Sequence, residues 1–120
     1  MTTLPAGPEL DRLIAEKVMG WDSYPALTGM ASARRAILNG IPVMEAHPSC
    51  GTVEFHPSTN IAHAMEVVTE LEKSGLELGL CRFIDSYWEA NFSIAERDGV
   101  SAKGETAQLA ICRAALRCVP

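Results

Sequence analysis

The sequence predicts an α+β domain, a layered α/β/α sandwich in which helices cover a small, mainly antiparallel sheet. Three observations carry that prediction. Residues 87–94 (Tyr-Trp-Glu-Ala-Asn-Phe-Ser-Ile) alternate, which puts Trp88, Ala90, Phe92 and Ile94 on one face of a strand and Tyr87, Glu89, Asn91 and Ser93 on the other. Residues 76–83 form a second alternating run, and Ile84, Asp85 and Ser86 between the two supply a hairpin turn. Residues 105–116 (Glu-Thr-Ala-Gln-Leu-Ala-Ile-Cys-Arg-Ala-Ala-Leu) then read as an alanine-rich helix able to approach a sheet closely.

The remaining elements follow from capping and periodicity. A helix is predicted over 8–19. Pro8 suits a first helical position, where its missing N–H costs nothing, and Glu9 and Asp11 complement the helix dipole. Leu10, Leu13, Ile14, Lys17 and Val18 make its mostly apolar stripe, Gly20 stops it, and Trp21 folds back onto its end. Residues 21–57 are least legible. Within them 30–38 reads as a short helix capped by Thr28 and ended by Asn39-Gly40, while 52–55 reads as a strand with Val53 and Phe55 on one face. Pro42, Pro48 and Pro57 cut the rest into short extended pieces. The stretch at about 22–57 is therefore expected to be an irregular arm or insertion on a single domain spanning 1–120. The next helix is predicted over 59–74, capped by Ser58 or Thr59 and ended by Gly75. Its core face is expected to hold Ile61, Ala64, Met65, Val68 and Leu71, beside Glu72, with His63, Glu66, Glu70 and Lys73 outward. The second strand of the hairpin extends over 87–95, Asp98-Gly99 turns the chain, and the last helix covers 106–118.

Composition limits the function classes. With 120 residues, 48% hydrophobic and 21% charged, the chain fits one soluble globular domain with a real core. A net charge of −5 argues against a duplex-DNA binder, which would normally show a basic face, and suits docking on a basic partner instead. No apolar run reaches the about 20 residues that span a bilayer. The opening Met-Thr-Thr-Leu-Pro has neither the basic flank nor the apolar stretch of a secretion signal, so a cytoplasmic protein is expected. Cys50, Cys81, Cys112 and Cys118 are widely spaced and read as reduced, mostly buried thiols.

Three blocks of sequence point to a family. The first is Leu4-Pro5-Ala6-Gly7-Pro8-Glu9-Leu10-Asp11 leading into residues 15–21 (Ala-Glu-Lys-Val-Met-Gly-Trp); the second is residues 57–62 (Pro-Ser-Thr-Asn-Ile-Ala) with 65–68 (Met-Glu-Val-Val). The third is residues 88–92 (Trp-Glu-Ala-Asn-Phe) followed by 105–107 (Glu-Thr-Ala) and 110–116 (Ala-Ile-Cys-Arg-Ala-Ala-Leu). In this order, over roughly two thirds of the chain, they resemble the phage ABA sandwich domain, a family of small phage and prophage proteins. The resemblance implies helix, sheet and helix layers and a phage origin. It implies no reaction. It does not extend over 22–56, which makes that arm the expected seat of any private function.

The candidate sites are few. Trp21, Tyr24, Arg34, Arg35, Arg82 and Tyr87 are the candidate contacts for a partner or ligand: aromatics for contact area, arginines for phosphate or acidic groups. Trp88, on the apolar side of its strand, is expected in the core. His47, Cys50 and His56 are the weak candidates for a metal, because imidazole and thiolate suit zinc, but their spacing fits no standard finger. Cys50 or Cys81 with His63 could pair as nucleophile and base only with a geometry that the sequence does not indicate. Glu66, Glu70, Glu72 and Glu77 make an acidic surface, and Glu105, Thr106 and Arg113 are expected to cap and brace the last helix.

The functional expectation, resting on the resemblance, the charge and the lack of catalytic motifs, is a non-enzymatic phage accessory protein without cofactor. It would bind and block a host factor, of the host-defence or anti-CRISPR type, in the host cytoplasm. The partner would be a host protein or complex, including a nucleic-acid-binding one. One alternative is a nucleotide or other small-ligand binder using Arg34, Arg35, Arg82 and Tyr87; another is a virion assembly accessory. Self-pairing through a free sheet edge, or through Met30 and Ile37, would make a homodimer.

Overall fold

In the computed structural model, which describes residues 4–24, 33–47, 51–83, 87–93 and 99–119, the chain opens with α1 (Pro8–Leu13) running directly into a π-helical turn (Ile14–Val18). The strands β1 (Ser23–Tyr24), β2 (Ala33–Leu38), β3 (Ile41–His47) and β4 (Gly51–Glu54) follow. Then come α2 (Ile61–Glu72), β5 (Glu77–Phe83), β6 (Tyr87–Ser93), β7 (Val100–Gly104) and α3 (Ala107–Arg117). The class is α+β, as expected. The sheet content differs: one sheet has the order β1-β2-β3-β4 and a second has the order β5-β6-β7.

The first helix begins at Pro8 and buries Leu10, Asp11, Ile14 and Ala15. Its final turn widens, with the Met19 N–H donating to Ile14 O at 3.0 Å, five residues back, as a π turn requires. Trp21 does fold back, its N–H donating to Ala15 O.

The predicted helix over 30–38 is a strand where it is described. Leu38 pairs with Ile41 and Ile37 with Pro42, so Asn39 and Gly40 form a two-residue hairpin turn. Their φ values of 50° and 80° fit the type I′ geometry that Asn-Gly favours, because both central positions need left-handed backbone. The Met-Ala-Ser-Ala-Arg-Arg stretch has good helix propensity, but tertiary pairing overrides so weak a preference. Thr28 and residues 30–32 lie outside the described residues. The expected irregular arm therefore holds hydrogen-bonded sheet: β2 and β3 pair antiparallel, β4 joins β3, and β1 runs parallel to β2. Ile37, offered as a self-association contact, is core at 2% exposure; Met30 is not described. Val53 and Phe55 do not share a face. Val53 is exposed, whereas β4 ends at Glu54 and Phe55 turns inward, its N–H held by Pro42 O.

The helix expected over 59–74 is present as α2, capped by Asn60 rather than Ser58 or Thr59. Its buried stripe is Ala64, Val67, Val68 and Leu71, while Ile61 and Met65 are exposed by 48% and 45%. Apolar residues at 61, 65 and 67 allow two stripes by spacing alone; packing selects the one that contains Val67. The helix ends in a Schellman motif, with Leu76 N–H donating to Leu71 O and Gly75 N–H to Glu72 O.

The hairpin of β5 and β6 matches expectation, in a register running from Glu77↔Ser93 to Phe83↔Tyr87. Ile94 lies outside the described residues. β7, which the sequence analysis does not predict, pairs antiparallel with β6 from Trp88↔Gly104 to Phe92↔Val100. α3 starts at its cap Thr106, whose side chain accepts from Leu109 N–H. It lies across β6 and β7, while α2 touches both α3 and β5. Gly104 permits this close approach: a Cβ there would sit 2.6 Å from Ala110 N. One continuous core joins Leu10, Ile14, Phe55, Val67, Ala90, Phe92, Ile111 and Cys112, and Trp88 packs against it half-buried. On the other side of the helices, α1 touches β3 and the π turn touches β2, so the helices lie between the two sheets.

Candidate functional site

Two constellations stand out, one internal and one external. The internal one joins the start of α1 to the segment entering α2. Asp11 is 1% exposed; its Oδ1 accepts the Ser58 N–H at 2.8 Å and its Oδ2 faces His56 Nδ1 at 3.4 Å. The Ser58 hydroxyl in turn accepts the Gly7 N–H at 3.0 Å. His56 Nε2 lies 3.0 Å from a Glu54 carboxylate oxygen, so both its ring nitrogens face carboxylates. The His56 N–H donates to His63 Nδ1 at 2.9 Å, and the His63 ring stacks on Phe55, which also meets Trp21.

This network combines serine, histidine and aspartate without the order that nucleophilic catalysis needs. The Ser58 hydroxyl is buried and accepts from main chain, and the carboxylate holds a main-chain N–H. His63, expected to face outward, is tucked against Phe55 with Nδ1 already accepting. Its pKa is lowered, first by burial and then by nearby His56, so the neutral acceptor form is favoured. Cys112 lies in the core, and burial raises its thiol far above the usual range, which makes it unreactive. Cys118 is half-buried and raised in the same direction, while Cys81 is exposed, contrary to the expectation of mostly buried thiols. Cys50 and the His47 side chain are outside the described residues. Among the described residues no cluster of histidine, cysteine and carboxylates suits a metal ion.

The external constellation occupies the face of the three-stranded sheet turned away from α3. Tyr87 stacks on Phe83 with ring centroids 4.7 Å apart and nearly parallel planes, and Lys103 Nζ lies 5.0 Å from the Tyr87 centroid. A stacked pair with a cation over it is a preorganised, largely rigid contact surface. Beside it, Glu89, Ser101, Lys103, Arg113 and Arg117 line an open cleft of about 390 Å³. Arg113 Nη1 donates to Lys103 O and its Nε to Leu4 O, while Arg117 Nη1 donates to Ser101 O. Among the described residues, no carboxylate lies within ion-pair distance of Lys103, Arg113 or Arg117.

The contact residues expected from sequence are not brought together. Trp21 is half-buried and packs on Phe55. Tyr24 is 40% exposed on the short β1. Arg35 sits on β2 with φ 51° and reaches Glu66 at 3.5 Å, an exposed pair of little energetic weight. The main chain of Arg34 is also on β2; its side chain is outside the description. Arg82 and Tyr87 lie on the other sheet, Arg82 exposed and 6.0 Å from the Trp88 centroid. The acidic surface is partly neutralised, since Glu66 meets Arg35 and Glu70 meets Lys73. Phe83, Lys103 and Arg117 were missed. The register Phe83↔Tyr87 was implicit in the hairpin, but Lys103 became visible only with β7.

The profile of the phage ABA sandwich domain matches residues 12–116. The chain belongs to that family. The internal network ties distant parts of the chain together: Asp11 and Gly7 hold Ser58. From α3, Gln108 donates to Thr59 O and Arg113 to Leu4 O. A 2.0 Å crystal structure of a phage protein from Bacillus cereus ATCC 14579 has the same fold, with a TM-score of 0.63 and 19% identity, covering 99% of this chain and 97% of that one. No curated protein matches the chain. No described helix is long and apolar enough to cross a membrane.

Proposed function

We propose that this phage ABA sandwich protein acts by docking on a host protein and blocking it, without catalysis, in the host cytoplasm. The observation that carries this reading is the external constellation. The Phe83–Tyr87 stack and the cations Lys103, Arg113 and Arg117, which lack carboxylate partners among the described residues, form a local basic and aromatic surface on a chain of net charge −5. Such a surface fits an acidic patch on a protein better than it fits duplex DNA, which the overall charge repels. Inhibition of a host-defence complex, as anti-CRISPR proteins perform it, is the class of action to which this belongs. The polar network around Asp11 argues in the same direction, because its groups are occupied in holding main chain.

The test is affinity capture from host lysate with the wild-type chain and with a Tyr87→Ala/Lys103→Glu variant of unchanged melting temperature. Loss of a central aromatic contact costs about 2 kcal/mol, a roughly 30-fold drop in affinity. A host protein retained by the wild type and lost by the variant supports the reading. A partner held equally by both, or none held by either, refutes it.

The cleft favours a second reading, an anionic small ligand such as a nucleotide. Its volume falls within the ordinary range for small-molecule sites, and Tyr87 offers a ring beside its cations. Here Lys103, Arg113 and Arg117 replace the Arg34, Arg35 and Arg82 set expected from sequence. A nucleotide that raises the melting temperature of the wild type, and less so that of Lys103→Glu, selects this reading over the first.

A further inference from the structure

We infer that the β5 edge of the three-stranded sheet is a self-association surface, on which β5 of a second copy pairs antiparallel about a two-fold axis at Leu80. The inference does not depend on the host-binding reading. It starts from the contrast between the two edges of that sheet.

The β7 edge is closed. The carbonyls of Ser101 and Lys103 accept guanidinium N–H groups from Arg117 and Arg113 on α3, so a second strand cannot use them. Those carbonyls therefore point away from β6. In an antiparallel ladder main-chain direction alternates, so Ala102 and its partner Ala90 face each other. It follows that Glu89 and Asn91 face β5, that their partners Cys81 and Gly79 face back, and that the N–H and C=O groups of Leu78, Leu80 and Arg82 point outward.

Among the described residues the β5 edge is long and open to solvent, with Glu77 and Arg82 as its charged side chains. It is seven residues long and contains no proline, and nearly all of it is exposed, including Leu80 at 37% and Phe83 at 39%. An edge this long with apolar side chains is a template for another strand. The edges of the other sheet are shorter: β1 has two residues, and β4 has four.

The occupant is a second copy because the edge is complementary to itself. A two-fold axis at Leu80 pairs all seven residues: Leu80 meets Leu80, Leu78 meets Arg82, Gly79 meets Cys81, and Glu77 meets Phe83. The outward groups of Leu78, Leu80 and Arg82 then face one another as hydrogen-bonded pairs. Antiparallel pairing sets Glu77 opposite Phe83 and Arg82 opposite Leu78, so no like charges meet, whereas in-register parallel pairing would set Glu77 against Glu77 and Arg82 against Arg82.

The test is sedimentation equilibrium of the full chain with two point variants. The wild type is expected at twice the chain mass of 12.9 kDa, Leu80→Lys at the single mass, and the control Val53→Lys on β4 still at twice the mass. A chain carrying Leu80→Cys with Cys50→Ser and Cys81→Ser supplies a second measurement that does not depend on how Leu80→Lys folds. Facing residues of a hydrogen-bonded pair lie about 5.5 Å apart between Cα atoms, within disulfide reach, so mild oxidation should link two copies. A monomeric wild type, a Leu80→Lys variant that stays dimeric, or a Leu80→Cys chain that does not cross-link would each overturn the inference.

Discussion

Replacing Asp11 tests whether the internal network is a tether or a site. The carboxylate is almost fully buried and accepts the equally buried Ser58 N–H at 2.8 Å. Asp11→Ala removes a hydrogen bond to a charged group, worth about 1.5–3 kcal/mol, and leaves the Ser58 N–H without an acceptor. With the small cavity left by the side chain, the loss should be about 3 kcal/mol, against a total of about 6–18 kcal/mol for a chain of this length. Asp11→Asn keeps an acceptor for Ser58 and loses only the charge facing His56 at 3.4 Å; the cost should be about 1 kcal/mol, since His56 is 43% exposed and well solvated. Urea unfolding followed by circular dichroism measures both, with unchanged slope and shifted midpoints expected. The wild-type host partner should still be captured by Asp11→Asn. If Asp11→Ala is within 0.5 kcal/mol (about the error of the method) of wild type, or if Asp11→Asn costs as much as Asp11→Ala, the reading of Asp11 as a main-chain tether is wrong.

Four further outcomes are expected. His63 binds its proton at lower pH in the folded state than in the unfolded one, so its contribution to stability is complete above the ordinary imidazole value of 6.5 and is lost as pH falls below it; His63→Asn, which keeps an acceptor, should flatten the loss seen in melting temperatures between neutral pH and pH 5. Gly104→Ala drives a Cβ into the Ala110 N–H and should destabilise by about 2 kcal/mol in urea unfolding. Under native alkylation followed by peptide mass spectrometry, exposed Cys81 should react quickly and Cys112 only after unfolding. Arg113→Ala/Arg117→Ala frees the Ser101 and Lys103 carbonyls, and with both sheet edges open sedimentation should show species larger than a dimer.

What could be read in the sequence was what depends on neighbours along the chain. The β5–β6 hairpin, the core side of β6 and the last helix with its Thr106 cap depend on alternation and capping, and they are where the pattern put them. Asn39-Gly40 was legible too, as the turn of a hairpin, but it was assigned to a helix end because the residues before it favour helix. Contacts distant in sequence were not legible. Nothing near Ser58 announces that it serves Gly7 and Asp11, and the rotation of α2 follows from what lies beneath it. The same holds for the external surface: Tyr87 was legible as an outward residue, but Phe83, Lys103 and the two arginines join it only through strand register and an edge contact from α3.

The stability cost of a substitution divides the residues of this fold into two groups. Gly7, Asp11, Ser58 and Arg113 tie α1, the entry to α2 and α3 to one another. Phe83, Tyr87 and Lys103 lie on the outer face of the three-stranded sheet, and β5 at its edge. Substituting a tether leaves a buried main-chain group unsatisfied, a cost of about 1–3 kcal/mol that a small domain tolerates only once or twice. Substituting a residue on the outer face of the sheet disturbs only surface packing and typically changes stability by less than about 0.5 kcal/mol. The outer face and β5 can therefore take up substitutions at little cost in stability, while the tethers hold the helices together.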